Sequence, residues 1–165
     1  MFDVLANIEV AETERYGKSL HAKRDFKKDE LVFVACGALV STPTTYTIPI
    51  DWKLYIEPRI PEGNICQYLC HSCDPNLGIK DRTLFVAFRD IKKGEEVTVD
   101  YAMFGYDYGD EIAESGRACK CGSPECRGRL GCYKELPEPI RQKYNGYISD
   151  YLLELDAGLE GDASN

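Results

Sequence analysis

The sequence has no run of about 18 consecutive apolar residues, so we expect no helix that spans a membrane. It also lacks an excess of basic residues, because 28 Asp and Glu outnumber 20 Lys and Arg and give a net charge of −8. A surface that binds nucleic acid needs clustered lysine and arginine. We therefore expect no direct nucleic-acid partner, whereas a basic peptide or protein would be attracted.

The first residues, Met1-Phe2-Asp3-Val4, lack the basic flank of a secretion signal. Together with the missing membrane span, this predicts an intracellular protein, cytoplasmic or nuclear. Cysteine is also scarcer than in small disulfide scaffolds, since eight cysteines make up about 5% of the chain against the usual ~8–10%. In a reducing compartment, clustered thiols indicate metal ligands more than disulfides.

Three of the cysteines lie within eight residues, in Cys119-Lys-Cys121-Gly-Ser-Pro-Glu-Cys126. A structural zinc site normally takes four protein ligands, so a fourth must come from elsewhere in the chain. The candidates are Cys70, His71, Cys73 and Cys132. The alternative is a set of unligated thiols, but this stretch is too polar to hide free cysteines in a core, which favours zinc.

The chain of 165 residues, 44% of them hydrophobic, is long enough for one domain that buries ~70% of its unfolded surface. Its first half predicts short strands separated by turns, which makes the fold class mostly β. The apolar stretches that predict strands are residues 31–35, 39–40, 46–50, 84–88 and 97–99. From Pro137 onward, apolar residues recur at helical spacing and predict one amphipathic helix, followed by a frayed acidic tail from Gly158. The residues of that helical pattern are Ile140, Tyr144, Tyr147, Ile148, Tyr151, Leu152 and Leu155.

Two segments of the sequence are alike, residues 22–30 and residues 87–95. Each carries an Arg-Asp pair, then two lysines and a glutamate, and leads into a β-rich run. Nothing around the two segments repeats, so we interpret them as one turn chemistry used twice and not as a repeat fold.

The segment Tyr68-Leu69-Cys70-His71-Ser72-Cys73-Asp74-Pro75-Asn76 resembles the central motif of the SET-domain protein lysine methyltransferases. Three further segments occur in that family's order. The first, Tyr16-Gly17-Lys18-Ser19-Leu20, is similar to the N-terminal glycine turn. The second, Gly94-Glu95-Glu96-Val97-Thr98-Val99-Asp100-Tyr101, is similar to the strand ending in Asp-Tyr. The third, residues 119–130, is similar to the post-SET zinc segment. Four motifs in register make the resemblance specific, and it covers roughly residues 8–132.

The resemblance implies a fold and a division of the chain. The expected fold is a set of several small β-sheets with a knot-like crossing, where residues 67–76 and 100–106 form the active site together. The SET domain would span residues 1–113, the post-SET zinc segment 114–132, and the C-terminal helix with its acidic tail 133–165. The implied activity is transfer of a methyl group from S-adenosylmethionine to the side chain of a protein lysine.

The resemblance also implies roles for particular residues. Tyr101 matches the catalytic tyrosine. The residues implied to bind the cofactor are Gly17, Lys18, Ser19, Cys70, His71 and Tyr101. The residues implied to bind zinc are Cys73, Cys119, Cys121 and Cys126, with Cys132 outside the pattern. Asn76 is expected to brace the crossing by side-chain hydrogen bonds, and Tyr46, Tyr55, Phe104 and Tyr106 are candidates for channel walls or for the core.

Three positions depart from the family pattern, which usually has Asn at Cys70, Arg at Gln67 and Gly at Ser19. A thiol is a weak hydrogen-bonding group, and one lost hydrogen bond costs ~1–3 kcal/mol, so we expect weakened cofactor binding. Two alternatives follow, a non-catalytic SET module that binds a partner and a methyltransferase for a small amine. A further alternative is a second metal arrangement with Cys70, His71 and Cys73 as ligands.

Overall fold

The computed structural model describes residues 6–15, 17–44, 46–57, 65–107 and 118–162, with side chains given up to residue 158 in the last segment. The strands in these segments are short. They are β1 (Ile8–Thr13), β2 (Gly17–Ala22), β3 (Leu31–Val34), β4 (Ala38–Val40), β5 (Ile48–Asp51), β6 (Leu54–Glu57), β7 (Cys70–His71), β8 (Leu77–Lys80), β9 (Leu84–Ala87) and β10 (Thr98–Val99). The helices are α1 (Glu138–Lys143) and α2 (Asp150–Asp162), with 3₁₀ turns at Ile65–Tyr68, Tyr101–Met103 and Tyr133–Glu135.

The strands form small separate sheets. An antiparallel hairpin joins β1 to β2, a second sheet has the order β3-β9-β8, and a third has the order β4-β6-β5. Two very short strands, β7 and β10, pair in parallel, with Cys70 opposite Thr98 and His71 opposite Val99. This architecture confirms the predicted mostly β fold of several small sheets, and its parallel pair brings two segments distant in sequence side by side.

The core lies between the β3-β9-β8 sheet and the chain segments that cover it. Phe33 of β3 stacks on Phe85 of β9, with 4.5 Å between ring centres. Leu77 and Ile79 of β8 are fully buried beside them. Aromatic pairs of this kind contribute beyond the area that they bury, so the Phe33–Phe85 contact stabilises this sheet. The predicted strands of residues 31–35 and 84–88 are confirmed here as β3 and β9.

The single C-terminal helix predicted from Pro137 is divided into two. α1 ends at Lys143, and Tyr144, Tyr147 and Ile148 lie in the turn before α2. Gly146 in that turn has φ +79°, a left-handed conformation that ends a helix and that glycine adopts without steric cost. The buried aromatic residues of the turn therefore mimic helical periodicity while lying outside a helix. α2 itself continues to Asp162, so the fraying expected from Gly158 was placed too early.

The two similar segments contact each other in a reciprocal arrangement. Phe26 and Ile91 exchange both backbone hydrogen bonds, each at 2.9 Å. Asp90 accepts hydrogen bonds from Lys27 Nζ at 2.7 Å and from the backbone N–H of Lys28 at 3.0 Å. The equivalent Asp25 accepts from Lys92 Nζ at 3.1 Å and from the backbone N–H of Lys93 at 2.9 Å. One turn chemistry is thus used twice, as predicted, and each copy completes the other.

Within the described segments, no helix is both long and apolar enough to cross a membrane. Some predictions fall outside these segments. They are Tyr16 of the glycine turn, the proposed boundary at residues 113–114 and the last three residues of the tail.

Candidate active site and cysteine cluster

Tyr101 lies two residues after the end of β10 and opens a 3₁₀ turn. The Asp100 side chain caps that turn by accepting a hydrogen bond from the backbone N–H of Ala102 at 3.1 Å. The Tyr101 hydroxyl donates to the carbonyl oxygen of Leu69 at 2.8 Å, and its ring centre lies 5.2 Å from that of His71. The two segments expected to meet, residues 67–76 and 100–106, therefore do meet around this phenol.

Backbone and amide contacts hold the crossing in register. The N–H of Ser72 donates to the carbonyl oxygen of Val99 at 3.1 Å, which extends the parallel pairing by one residue. Asn76 is buried, and its Nδ2 donates to the carbonyl oxygen of Glu96 at 2.7 Å while its Oδ1 accepts from the N–H of Thr98 at 2.8 Å. Asn76 makes the bracing hydrogen bonds predicted for it.

His71 links Tyr101 to the cysteines. Its Nδ1 accepts a hydrogen bond from the backbone N–H of Tyr101 at 3.3 Å, which places the ring proton on Nε2. Nε2 lies 3.3 Å from Cys73 Sγ, so it donates toward that sulfur. Burial lowers the pKa of His71 to about 4, against the opposing charge of Asp100, and the ring is neutral at pH 7.

A buried charge network lies under the crossing. Asp100 has no exposed surface, and Arg127 contacts it with both guanidinium ends, at 2.6 Å to Oδ2 and 2.9 Å to Oδ1. The Tyr144 hydroxyl donates to Oδ2 at 3.0 Å. Burial and the adjacent carboxylate raise the pKa of Tyr144, so its proton stays in place. This network ties the cysteine-rich segment and the C-terminal turn to the residue next to Tyr101.

Four thiols gather beside this network. The Sγ atoms of Cys73, Cys119, Cys121 and Cys126 all lie within 4.8 Å of one another, and Cys73 is 3.8 Å from Cys119. Neither Cys70, His71 nor Cys132 belongs to this group in the part of the chain described. Of the open candidates for the fourth ligand, Cys73 is the one whose sulfur lies with the three thiols of the cysteine segment, and within the described residues Cys70, His71 and Cys73 do not form such a group.

The geometry of the four thiols fits a tetrahedral zinc site. Sulfur atoms about 2.3 Å from a shared zinc ion lie about 3.8 Å from one another. Although burial opposes it, hydrogen bonds from the backbone N–H groups of Cys73 and Ser123 help to lower the pKa of Cys121 to about 7. The N–H of Arg127 also donates to Cys73 Sγ at 3.4 Å, and that of Gly128 to Cys126 Sγ at 3.4 Å. Such donors stabilise thiolates, the form in which cysteine binds metal.

A cleft of about 290 Å³ is lined by His71 but not by Tyr101. Its walls come from the central motif, from the strand leading into β10 and from the turn of the cysteine segment. They are Arg15, His71, Ser72, Asp74, Asn76, Arg89, Glu95, Glu96, Thr98, Cys121, Gly122, Ser123 and Pro124. Arg15 joins the turn between β1 and β2 to the cysteine segment, because its guanidinium donates to the carbonyl oxygen of Cys121. Three of the four motifs therefore border one cavity.

The residues predicted to bind a cofactor have different positions relative to this cleft. His71 lines it directly. The Cys70 thiol lies beside Glu96, which is a wall residue, and burial together with that carboxylate raises the pKa of Cys70 to about 11. Gly17, at φ +77°, and Lys18 are exposed at the end of the β1–β2 hairpin, whereas Ser19 is buried with its Oγ 3.0 Å from His21 Nε2. The Ser19 hydroxyl therefore contacts His21, and Ser19 is not among the residues that line the described cleft.

The candidates for channel walls are also divided. Phe104 packs against Tyr101, with 5.7 Å between ring centres, and Tyr106 contacts Trp52 edge-on at 6.1 Å. Tyr55 is half-buried on β6. Tyr46 is 49% exposed and lies in a turn before β5, so the strand predicted to include it begins two residues later. Phe104 is the candidate that the structure places against the catalytic candidate.

Three functional features were missed by the sequence analysis. The pairing of Arg127 with Asp100 joins two motifs that the analysis had treated separately. Glu96, inside the Asp-Tyr motif, was given no role although it lines the cleft. Arg15 precedes the glycine turn. The available signal for the Arg127 pairing was Asp100 at the end of the apolar run of residues 97–99, since a buried carboxylate requires a cationic partner.

Comparison with known proteins agrees with this geometry. The family model for the SET domain matches residues 17–102. A histone-lysine N-methyltransferase, H3 lysine-36 specific, from Yarrowia lipolytica is 28% identical over 148 residues, which cover 76% of this chain and 18% of the relative. The relative of the same name from Cryptococcus neoformans is 27% identical over 76% of this chain and 17% of its own length. The histone-lysine N-methyltransferase ash1 from Drosophila melanogaster is 29% identical over 58% of this chain and 4% of its own.

The family model covers more than half of the sequence, and the chain belongs to the SET-domain family. It is similar to part of proteins named histone-lysine N-methyltransferases, and it spans less than a fifth of the length of the first curated relatives that it matches.

Proposed function

We propose that the chain is an S-adenosylmethionine-dependent methyltransferase that acts on lysine side chains of proteins. The main support is the Tyr101 hydroxyl, held at the crossing by Leu69 with its ring against His71. His71 also lines the cleft, so one residue adjoins both the phenol and the cavity. That arrangement suits a reaction in which a cofactor in the cleft and a target side chain beside the phenol meet near His71.

Bound S-adenosylmethionine would supply a methyl group attached to a positively charged sulfur. The residues of this chain must then present a neutral amine, because a lysine of pKa ~10.4 is protonated at pH 7 and its neutral form costs about 4–5 kcal/mol there. Phe104 packs against Tyr101 and excludes water from one side of the phenol. Desolvation lowers the pKa of an amine, and the adjacent positive sulfur acts in the same direction.

Tyr101 would orient the amine and not deprotonate it. Its hydroxyl hydrogen is committed to the Leu69 carbonyl oxygen at 2.8 Å, so toward the amine the phenol oxygen would act as a hydrogen-bond acceptor. The Leu69 carbonyl oxygen is itself a second acceptor at the same place. Catalysis by positioning and exclusion of water therefore suits this site better than catalysis by a strong base.

We further propose that Cys73, Cys119, Cys121 and Cys126 bind zinc as a structural ion. The cofactor contacts proposed for Gly17, Lys18, Ser19, Cys70 and His71 rest on the family motifs, with the position of His71 in the cleft wall as the strongest support. The expected substrate is a basic protein, histone or non-histone, since the chain carries a net charge of −8 and its relatives are named for histone lysine. Direct nucleic-acid binding is not part of the proposal.

The test is methyl transfer from labelled S-adenosylmethionine onto histone H3 and onto a cell extract separated into protein and small-molecule fractions. We expect label on lysine in the protein fraction, and Tyr101→Phe should reduce transfer about a hundredfold or more. Tyr147→Phe is the matched control, because it also removes a hydroxyl hydrogen bond, at 2.7 Å to Asp29, but away from the cleft.

Other outcomes would select the alternatives. Label confined to small molecules would indicate a small-amine methyltransferase. Isothermal titration that detects no binding of S-adenosylmethionine to the zinc-loaded chain would instead indicate a non-catalytic module that binds a protein partner.

A further inference from the structure

Glu96 carries a carboxylate oxygen that the protein leaves without a partner. Its Oε1 is shielded from solvent and has no N–H or O–H donor; the Cys70 thiol beside the carboxylate is only a weak donor, and Glu96 lines the cleft beside His71. A shielded carboxylate oxygen without a hydrogen-bond donor destabilises a protein unless something else supplies one. An unmet acceptor in the wall of a cavity indicates that a ligand supplies the donor.

The other acids in the same walls already have partners. Glu95 pairs with Arg89 at 2.7 Å and accepts from Asn76 at 3.0 Å, and Asp74 pairs with Lys143 at 3.3 Å. The free acceptor is therefore confined to Glu96 among the acids of the described cleft. It lies next to the Cys70 thiol, at the position where the family usually has a carboxamide that helps hold the cofactor.

We propose that Glu96 is a cofactor-binding residue of this chain, and that its carboxylate accepts a hydrogen bond from the α-ammonium group of S-adenosylmethionine. This inference rests on the proposed function. The ammonium is the cationic hydrogen-bond donor of that cofactor, since the sulfonium carries no N–H or O–H and the nucleoside donors are neutral. Charge-assisted hydrogen bonds are roughly twice as strong as neutral ones, so the ammonium gains most from this oxygen.

Glu96 supplies the strong hydrogen-bond acceptor that the Cys70 thiol does not provide. A thiol is a weak acceptor, so replacing a carboxamide by Cys70 removes one contact with the cofactor. A carboxylate on the neighbouring strand, two residues before the partner of Cys70 in the β7–β10 pair, compensates for that loss. The cofactor pocket is then altered and not degraded.

The experiment is isothermal titration of the full, zinc-loaded chain with two probes. S-adenosylhomocysteine retains the ammonium, and 5′-methylthioadenosine keeps the nucleoside but lacks the amino-acid portion. We expect Glu96→Gln to weaken S-adenosylhomocysteine binding about ten- to a hundredfold while changing methylthioadenosine binding less than about twofold. Glu9→Gln, which removes an exposed carboxylate from β1, should change neither.

Two further measurements separate ligand binding from a structural role. The melting temperature of ligand-free Glu96→Gln should equal or exceed that of the wild type, because the variant removes a shielded charge; a structural role would lower it. In a Cys70→Asn background, Glu96→Gln should weaken S-adenosylhomocysteine binding less than in the wild type, because the restored carboxamide supplies an acceptor.

The inference is wrong if Glu96→Gln binds S-adenosylhomocysteine within about twofold of the wild type, or if both probes weaken equally. In either case wild-type binding would still support the proposed function. If the wild type binds neither probe, the proposed function fails and the inference fails with it.

Discussion

Asp100 is the residue on which the site most depends, although it touches no substrate. Its carboxylate is fully buried next to Tyr101 and contacts Arg127, Tyr144 and the backbone of Ala102. A buried carboxylate that loses its cation is far more costly than one in water, because the low-dielectric interior cannot solvate it. The position of Tyr101 therefore depends on a guanidinium contributed by the cysteine segment.

Arg127→Gln should lower the free energy of unfolding by about 3–5 kcal/mol, because it leaves Asp100 buried without its cation. Equilibrium unfolding in urea measures this change. Arg129→Gln is a matched control two residues away. It also breaks an ion pair, but one between side chains that are 55% and 37% exposed, for which we expect about 0–1 kcal/mol. Equal effects of the two substitutions would contradict the role given to Asp100.

The residue scale is also where sequence reasoning was weakest. Tyr101, Asn76 and the four cysteines were identified because each lies inside a motif whose spacing is specific. Arg127 and Glu96 lie inside the same motifs, but their roles depend on which side chain comes near them in the fold. A pairing across 27 positions, such as Arg127 with Asp100, has no local signature.

At the scale of elements, periodicity predicted the buried strands and failed at the C-terminal helix. β3 and β9 are apolar runs of the right length, and their burial follows from that composition alone. The segment after Pro137 has apolar residues at helical spacing, yet Gly146 interrupts it at φ +79°. Tyr144 and Tyr147 are buried because the turn packs into the domain. Their spacing therefore indicates which side chains are buried and does not indicate a helix.

That turn packs closely against β8. A Cβ atom added to Gly78 would lie 2.6 Å from Tyr147 Cβ, closer than atoms of two side chains can approach. Gly78→Ala should therefore lower the free energy of unfolding by about 1–3 kcal/mol through overpacking. Thermal and urea denaturation measure it.

Gly158→Ala is the matched control, since no atom lies within 4 Å of the position that its Cβ would take on α2. It should raise stability by up to about 1 kcal/mol through helix propensity. If Gly78→Ala were as harmless as Gly158→Ala, the close packing of the turn on β8 would be refuted.

At the scale of the whole molecule, the cysteine cluster joins the central motif to a segment about fifty residues later. Cys73→Ser should reduce bound zinc from about one ion per chain to a small fraction of that, since three thiolates do not complete a structural site. Elemental analysis of the purified protein measures it. The same variant should also melt at a lower temperature, because metal binding contributes to folding.

Cys132→Ser is the control for this experiment. Cys132 is also buried, at 2% exposure, but lies outside the four-thiol cluster. Full zinc content in Cys73→Ser, or loss of zinc in Cys132→Ser, would show that the ligand set has been assigned wrongly.

The reciprocal pair formed by residues 22–30 and 87–95 predicts how stability depends on pH. Hydrogen bonds from the Lys93 backbone and the Lys92 side chain lower the pKa of Asp25 below its ordinary 3.8, and those from the Lys27 side chain and the Lys28 backbone do the same for Asp90. Because both folded pKa values are depressed, the stabilisation is complete above about pH 4 and is lost as the pH falls through the folded values.

The double variant Asp25→Asn and Asp90→Asn should therefore lose less stability than the wild type between about pH 4.5 and pH 2.5. Urea midpoints measured across this range test the expectation. Glu9→Gln with Glu12→Gln, which removes two carboxylates from β1, controls for the change in net charge. An acid dependence as steep in the Asp25 and Asp90 variant as in the wild type would exclude the pair as its source.

The pairing of these two segments also affects the folding rate of the protein. The equivalent positions of the two segments are 65 residues apart in the chain, so the segments can pair only when the loop between them closes. Closing such a loop carries an entropic cost before any contact repays it, and proteins rich in distant pairings fold slowly. A nascent chain that ends before residue 95 would contain residues 22–30 without their complete partner segment. A stalled or truncated product would therefore expose residues of the first segment that are paired in the full chain.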